Sequence, residues 1–476
     1  MKNHYKFYKN IVTGLAFLLL IMAAGCKNAI DVGVPVTKLS SANVFTSNTT
    51  AEAAVSGIFA TMATSGRMYN GSGSLTALQG QAADELVTFS TTGAQFYVNS
   101  LTSQSNYYWT EIYLEMFDIN AAIAGLTNAT ALNPAIRDQL LGEVKFARAF
   151  IYFYAVNLYG DVPMPLTTDY TANNVLSRTP VQLVYAQILQ DLKDAQNLLP
   201  DNKYLSGTGA VSTDRVHPNK QAAQALMARV YLYQQDWVNA EAMATNVINA
   251  SSYKLEAINS VFLKASQEAI WQLFPVSTGL NNADAVYLVV TTRPTTVSSQ
   301  LPLNNALLNA FEVNDARLAN WVGTYVAPAA PPLPATTYKF AYKYKVYLTN
   351  SAITEYPIML RLAEQYLIRA EARAQQGNTS GAQSDLNAIR TRAGLPNTTA
   401  TTKADLLTAT LHERQVELFT EQGHRWFDLR RTGTIDAVMN VATPLKGGTW
   451  ASTKQLVPLP ASEIVLNSNL VQNPGY

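Results

Sequence analysis

Cysteine is almost absent from this sequence. Its 476 residues include one cysteine, Cys26, so the chain can form no internal disulfide bond. A hydrophobic core must therefore stabilise the fold without covalent help, and the roughly 450 residues after Cys26 are enough for one large domain or two.

Charge is also scarce. Asp, Glu, Lys and Arg together make up 14% of the residues, and the formal net charge is +1. Residues 1–25 contain three lysines and no acid, so the chain without them has 31 basic and 33 acidic residues, a net charge of −2. A nucleic-acid-binding protein would carry a basic face, so no nucleic-acid partner is predicted. The 25 Tyr, 16 Phe and 6 Trp are instead typical of secreted surfaces that meet neutral polar ligands.

Motifs for catalysis, metals and cofactors are missing. The histidines after residue 26 are His217, His412 and His424, and none has the spacing of metal ligands. The "GSGS" at 71–74 lacks the lysine and helix of a phosphate loop. We therefore predict no catalytic residue, no metal and no cofactor.

Two acidic pairs leave one enzymatic alternative open. A glycosidase needs only two suitably spaced carboxylates, and Asp84–Glu85 or Glu413–Glu417 would supply them. Because Glu413 and Glu417 are one helical step apart, we expect them to face solvent or nearby arginines. A surface glycoside hydrolase remains an alternative.

The first 48 residues have the pattern of a lipoprotein leader. Three lysines precede an apolar run at 11–22, and small residues then end at Cys26. This is a secretory signal whose apolar run is too short to span a bilayer. Its cleavage zone resembles a bacterial lipobox, although Ala23 stands where leucine is commoner. We predict a signal peptide at 1–25, lipidation at Cys26, and a lipidated tether at 26–48.

Helical periodicity dominates the chain beyond the tether. Amphipathic helices are predicted at 50–62, 107–126, 134–159 and 180–199. Two segments, 225–248 and 366–389, each indicate helix, polar turn and helix, with a pair of alanines twelve residues apart. They resemble tetratricopeptide hairpins, in which small residues let two helices approach closely.

Two stretches interrupt the helices. Residues 65–106 are rich in Gly, Ser, Thr, Gln and aromatic residues. The second stretch, about 261–358, includes the strand-like runs "AIWQLFPV" and "AVYLVVTT". It also includes "YKFAYKYKVYL", in which Lys339, Lys343 and Lys345 alternate with a face of aromatic residues. Long irregular loops on a helical scaffold are usually functional or disordered.

Four segments resemble the SusD/RagB family of outer-membrane nutrient-binding lipoproteins from Bacteroidetes. They are 142–164, 178–195, "HERQVELFTEQGHRWFDLRRTG" at 412–433, and "LVPLPASEIVLNSNLVQNPGY" at 456–476. The resemblance implies a mainly α fold, in which four tetratricopeptide-like helix pairs pack against an irregular lobe with long loops and a few short strands. It divides the chain into an N-terminal SusD-like region at 49–260 and a C-terminal SusD/RagB region at 261–476, with the irregular insertion at about 261–358.

The resemblance also implies a function and partners. A family member captures oligosaccharide at the outer cell surface and delivers it to a SusC-like, TonB-dependent transporter barrel. A lipid anchor holds it to the outer membrane. Some relatives bind peptides instead, so a peptide ligand stays open, as does a pure protein scaffold.

Ligand contacts are predicted among loop aromatics, since a sugar ring packs its C–H face against a flat side chain. Each candidate is as compatible with ordinary loop packing as with ligand contact. The candidates from the two irregular stretches are Trp321, Tyr325, Phe96, Tyr97, Tyr69 and the neighbouring carboxylate Asp84.

Replacing Cys26 tests the predicted anchor. Cys26→Ser removes the only thiol, so the protein should lose its acyl chains and be released or mislocalised. Metabolic acyl labelling followed by cell fractionation measures this. Acyl label that persists on the variant would refute lipidation at this position.

Overall fold

The computed structural model describes residues 44–91 and 93–476. The predicted signal peptide at 1–25 and residues 26–43 of the predicted tether, including Cys26, lie outside the described residues. Within the described part, helices predominate, which confirms the predicted mainly α fold. No described helix is long and apolar enough to cross a membrane.

The described part of the chain forms eighteen helices and six short strands. In chain order the helices are α1 (Asn48–Ala63), α2 (Leu75–Ala82), α3 (Ala94–Tyr97), α4 (Trp109–Thr127), α5 (Pro134–Tyr159), α6 (Tyr170–Asn173), α7 (Val181–Leu198), α8 (Lys220–Tyr233), α9 (Trp237–Ile248), α10 (Ala283–Leu288), α11 (Asn305–Leu308), α12 (Ala316–Trp321), α13 (Leu362–Gln375), α14 (Thr379–Arg392), α15 (Lys403–Glu417), α16 (His424–Arg431), α17 (Ile435–Leu445) and α18 (Ala461–Leu466). The strands are β1 (Tyr204–Leu205), β2 (Val211–Ser212), β3 (Ala269–Gln272), β4 (Val322–Ala327), β5 (Thr336–Ala341) and β6 (Ile358–Arg361).

Local sequence signals set the ends of the long helices. In α5 the Asn133 side chain accepts a hydrogen bond from the Ala135 N–H, and Pro134 occupies the first turn, where its missing N–H costs nothing. Gly160 ends the helix with a φ of 74°, a conformation that glycine adopts without strain. The predicted bounds of this helix are confirmed.

Three pairs of long helices pack closely: α5 with α7, α8 with α9, and α13 with α14. Helix α4 packs mainly against α5, and α1 contacts both of them. The alanines that the hairpin pattern singled out, Ala228 and Ala240 in one pair and Ala370 and Ala382 in another, are fully buried. Contact between α9 and α13 joins the pairs despite the long insertion between them. The largest core cluster includes residues from both ends of the described chain, from Ala51 to Leu470. The predicted division of the chain into two regions at residue 260 stays a prediction.

The strands form three antiparallel two-stranded sheets, which pair β1 with β2, β3 with β6, and β4 with β5. The strand predicted in "AIWQLFPV" is confirmed as β3, but "AVYLVVTT" is not a strand. Its first half lies in helix α10, which begins where the Asn282 side chain accepts the Asp284 N–H. The predicted strand with lysines on one face is also shorter than expected. Strand β5 ends at Ala341, and Lys343, which was expected on the lysine face, is buried.

One ion pair gives the fold a predictable pH dependence. The Nδ1 atom of His217 lies 3.0 Å from Oε2 of the fully buried Glu143 on α5. Burial opposes the imidazolium, but the carboxylate outweighs it and raises the pKa of His217. A raised folded-state pKa means that the pair stabilises the protein fully below the unfolded pKa of about 6.5, and that this stability is lost as pH rises through the folded-state pKa.

Wild type should therefore exceed the His217→Gln variant in melting temperature by more at pH 6 than at pH 8. The pair contributes on the order of 1 kcal/mol at the lower pH, because hydrogen bonds to charged groups are the stronger ones. Thermal unfolding across this range measures the gap. Glu143→Gln is the matched control, and an equal gap at both pH values would contradict the prediction.

Candidate functional site: an aromatic surface between two irregular segments

The two irregular stretches meet directly. Leu86 and Leu303 form an isolated antiparallel bridge, and the N–H of Val87 donates to the carbonyl of Pro302 at 2.8 Å. On the other side of this bridge, the N–H of Asn304 donates to the carbonyl of Glu85 at 2.7 Å. Backbone hydrogen bonds thus join the segment after α2 to the segment before α11.

Two aromatic rings lie at this junction. The rings of Phe89 and Tyr338 meet edge to face, with centroids 5.9 Å apart and an interplanar angle of 85°. Phe89 is 41% exposed, which is high for so large an apolar side chain. Tyr338 is half-buried on β5, where it pairs across the hairpin with the half-buried Tyr325 on β4. An exposed ring supported by a second ring is the kind of surface on which a flat apolar face can rest.

A shallow pocket of about 220 Å³ lies beside these rings. Its lining residues are Val87, Phe89, Pro302, Leu303, Asn304, Asn305, Leu308, Thr337, Tyr338 and Lys339. The Lys339 ammonium donates to the Thr324 hydroxyl at 2.7 Å. Rings next to amide, hydroxyl and ammonium groups suit a ligand that is apolar on one face and bears hydroxyls at its edge, as sugars do.

The segment that carries Phe89 is fixed to the scaffold by an ion pair. Both carboxylate oxygens of Asp84 accept from the guanidinium of Arg425 on α16, each at 2.7 Å. The Lys446 ammonium donates to the carbonyls of Gln81, Ala82 and Ala83 at 2.8–3.0 Å and so caps the end of α2. The loop therefore starts from a rigid base.

Trp321 is not on an exposed loop, so its predicted place in a sugar-binding platform is wrong. It is the last residue of α12, it is 1% exposed, and its indole N–H donates to the carbonyl of Ile258 at 2.9 Å. Positions 317 and 321 share one face of this helix. That face is buried, and on it Arg317 forms ion pairs with Glu413 and Glu417. The Lys343 ammonium lies 4.9 Å from the centroid of the indole ring.

Three further predicted contacts are also buried. Phe96 packs against Tyr107 and is 1% exposed, while Tyr69 packs between two aromatic residues of α5 and is fully buried. Asp84 is 4% exposed, and both of its carboxylate oxygens accept hydrogen bonds from Arg425. Tyr69 and Asp84 are buried because residues remote in the sequence, on α5 and α16, contact them, whereas Phe96 is covered by the nearby Tyr107 and Tyr108.

Tyr97 and Tyr325 are the two predicted contacts that stay partly accessible. Tyr97 is half-buried, and the Lys446 ammonium lies 5.4 Å from its ring centroid. Tyr325 is half-buried beside Tyr338 and so borders the aromatic surface. Whether either residue touches a ligand stays a prediction.

Three of the four carboxylates in the acidic pairs proposed for a glycosidase, Asp84, Glu413 and Glu417, are engaged by arginines. Glu413 and Glu417 both accept from Nη1 of Arg317, at 2.6 and 2.9 Å, and both are buried. Of the two expected surroundings, solvent and arginines, they therefore face arginines. Burial and the neighbouring Asp84 raise the pKa of Glu85 to about 8. Among the described residues, no group of three or more His, Cys, Asp or Glu side chains is placed to hold a metal ion.

Sequence reasoning missed Phe89 and gave Tyr338 no ligand role. One signal was available for Phe89: it is the aromatic residue between the buried "DEL" at 84–86 and the polar "STTG" at 90–93. Tyr338 lies on a strand, as predicted. How much of its ring is exposed depends on the loop that carries Phe89, which the strand pattern does not reveal. Neither residue is in a motif, so it is their spatial proximity that identifies them as one surface.

Comparison with known proteins gives two family-model matches. Residues 333–476 match the model described as the SusD family, and residues 36–232 match one described as starch-binding and associating with the outer membrane.

Individual relatives are consistent with these matches. The chain is 27% identical to SusD-like protein P2 of Formosa agariphila, over 96% of this chain and 98% of that one. It is 34% identical to the starch-binding protein SusD of Bacteroides thetaiotaomicron over 26% of this chain and 22% of that one. A solved laminarin-binding SusD-like protein shares the fold, with a TM-score of 0.73, 24% identity, and coverage of 90% of this chain and 99% of that one.

Replacing Trp321 should now destabilise the protein. Trp321→Ala removes a buried ring from contact with Phe262 and Lys343, and large-to-small changes of this kind cost about 3–5 kcal/mol. Tyr325→Ala, at a half-buried strand position, is the control and should cost clearly less. Thermal and urea unfolding measure both. A Trp321→Ala variant as stable as wild type would contradict the packing described above.

Proposed function

The chain belongs to the SusD/RagB family, and on this premise we propose that it captures oligosaccharide and delivers it to a SusC-like, TonB-dependent transporter barrel. The family matches support carbohydrate binding and association with the outer membrane. The identity of the barrel and the step of delivery are parts of the proposal.

The observation that carries the proposal is the exposed Phe89–Tyr338 ring pair beside a shallow polar pocket. A pyranose ring would pack its C–H face on Phe89, while its hydroxyls would meet Asn305, Thr337 and Lys339 at the rim. An open pocket of this kind can accept the middle of a chain as well as its end. The ligand class is therefore an oligosaccharide rather than a monosaccharide.

The proposal includes a location. The lipoprotein leader that ends at Cys26 supports attachment to the outer membrane by acyl chains, and capture of extracellular glycan requires the protein to face the exterior. Two or more acyl chains anchor a protein stably, whereas one does so only marginally.

Binding is proposed to occur without hydrolysis. The two acidic pairs that a glycosidase might use are buried, and three of their four members, Asp84, Glu413 and Glu417, are held by arginines. A peptide ligand is the alternative within the same family. Direct binding measurements with glycans and with peptides distinguish the two ligand classes.

Replacing the exposed ring should weaken glycan binding without unfolding the protein. A stacked ring contributes about 1 kcal/mol, so Phe89→Ala should lower affinity about fivefold for the best glycan in a polysaccharide panel. Melting temperature should barely change, because an exposed loop residue supports little of the core. Affinity electrophoresis and calorimetry measure the effect.

Phe274→Ala is the matched control for this variant. Phe274 is 47% exposed and also packs edge to face on a tyrosine, Tyr356, with ring centroids 5.5 Å apart, but it does not line the pocket. Equal loss of affinity in both variants would refute the aromatic surface as the site. Affinity for a peptide and for no glycan would favour the alternative ligand class.

Purified protein should leave its bound glycan intact. Chromatography of the glycan after prolonged incubation checks this. Steady shortening in proportion to protein concentration would revive the glycoside hydrolase alternative.

A further inference from the structure

The chain around the aromatic surface contains no acidic residue. Three segments supply this surface and its surroundings: 86–110, 285–311 and 318–354. None of them includes an Asp or a Glu, although the whole chain has 33 acidic and 34 basic residues. Their basic residues are Arg293, Lys339, Lys343 and Lys345. Any charge that these segments present to a ligand is therefore positive.

Two of these basic residues lie along the strand that carries the aromatic surface. The exposed side chain of Lys339 lines the shallow pocket, and its ammonium donates to the hydroxyl of Thr324. Nη1 of the half-buried Arg293 donates to the hydroxyl of Thr336 at 3.3 Å. Thr336 is two residues before Tyr338 on β5, so the two side chains share one face of the strand. The three strand steps from Thr336 to Lys339 span roughly 10 Å.

The loop that carries Arg293 also contacts the loop that carries Phe89. The N–H of Thr91, two residues after Phe89, donates to the carbonyl of Thr296, three residues after Arg293, at 3.3 Å. This contact holds the exposed ring and the guanidinium on the same side of the lobe. One oligosaccharide that rests on the ring can therefore reach both cations.

Both cations keep hydrogen-bond donors that no described residue uses. A guanidinium has five N–H donors, and Arg293 uses three of them, on Thr336 and on the carbonyls of Pro328 and Pro334. An ammonium has three donors, and Lys339 uses one. Neither side chain forms an ion pair within the described part of the chain. Each thus has two donors and an uncompensated charge left for a ligand.

The carboxyl groups beneath the surface do not neutralise this charge. Asp84 is paired with Arg425. Burial, as the larger effect, and the neighbouring Asp84 raise the pKa of Glu85 to about 8, so Glu85 is mostly a neutral acid at pH 7. Lys339 is the one charged residue among those that line the pocket. The surface is therefore cationic although the chain after its predicted leader has a small negative net charge.

We propose that the captured oligosaccharide is anionic, and that Arg293 and Lys339 bind its carboxylate or sulfate groups while its sugar rings pack on Phe89 and Tyr338. Hydrogen bonds from guanidinium and ammonium groups to such anions are roughly twice as strong as those between neutral groups. The inference rests on the proposed function and adds the charge of the ligand. Uronate residues and sulfate esters share the required chemistry, and the experiment separates them.

A panel of charged and neutral polysaccharides tests the ligand charge. Affinity electrophoresis of the full-length protein compares polygalacturonate, alginate, carrageenan and dextran sulfate with methyl-esterified pectin, agarose, dextran, starch and laminarin. The tightest binder should be one of the four anionic polymers. Carboxyl reduction of a uronate polymer, or desulfation of a sulfated one, should then weaken its binding about tenfold or more, and the effective treatment identifies the anion.

Charge-removing variants test where the anion binds. The double variant Arg293→Gln, Lys339→Gln should bind the tightest anionic polymer about tenfold more weakly than wild type. The matched control is Lys193→Gln, Lys203→Gln, which removes the same charge from two exposed lysines remote in sequence from the surface, and it should bind as wild type does. Raising sodium chloride from about 0.1 M to about 1 M should weaken binding by wild type much more than by the first double variant, because salt screens charges.

Single variants separate charge from folding. Lys339→Gln, at an exposed position, should lower affinity for the anionic polymer and leave the melting temperature unchanged. Arg293→Lys, which keeps the charge, should retain more affinity than Arg293→Gln. Equal losses in Arg293→Lys and Arg293→Gln, with none in Lys339→Gln, would show that Arg293 only holds the β4–β5 turn and would overturn the inference.

Other results also overturn it. These are a neutral polymer as the tightest binder, binding that reduction or desulfation leaves unchanged, and equal losses in the two double variants. If a neutral polymer binds best and Phe89→Ala weakens that binding, the ligand charge is wrong and the proposed function stands. If no polymer binds, or an acidic peptide binds in place of any glycan, the proposed function itself fails.

Discussion

The arrangement of the irregular lobe depends on the ion pairs of one carboxylate, that of Glu417 at the end of α15. It is fully buried and accepts from Arg317 on α12, Arg361 on β6 and Arg392 on α14. Burial opposes its ionisation, but the three arginines keep its pKa well below the usual range. Four segments far apart in the sequence thus converge on one anion. Removing one member of such a buried cluster would leave uncompensated charge, at a cost of about 3–5 kcal/mol.

This cluster explains how a protein with 14% charged residues uses them. Many are concentrated where the lobe meets the helices, with further acids at Asp315, Glu268 and Glu421 to balance the cations. The Lys343 ammonium is enclosed by the rings of Phe262, Trp321 and Phe419, and burial, as the largest effect, lowers its pKa to about 8. The ion pairs thus set where α12 and the β4–β5 hairpin lie on the scaffold.

Both sides of the aromatic surface are positioned from one stretch of chain. The lobe side is held through Glu413 and Glu417, and the loop side through the pair of Asp84 with Arg425. Between them the backbone turns sharply, with positive φ at Thr420, Gln422 and Gly423. Strained backbone of this kind persists where surrounding contacts fix it. The motif at 412–433 therefore positions the aromatic surface and does not itself form part of it.

Sequence by itself determined most of the long helices, the two hairpin segments and the family, because helical periodicity, end signals such as Pro134 and Gly160, and motifs are all local. It also singled out the two irregular stretches, 65–106 and about 261–358, between which the aromatic surface lies. Which rings are exposed was decided by tertiary structure. Trp321 is covered because Lys343 and Phe419 meet it, and Phe89 is accessible because its loop pairs with residues more than 200 positions later. Local patterns record which face of an element is apolar, but the exposure of a loop ring depends on partners that only folding brings together.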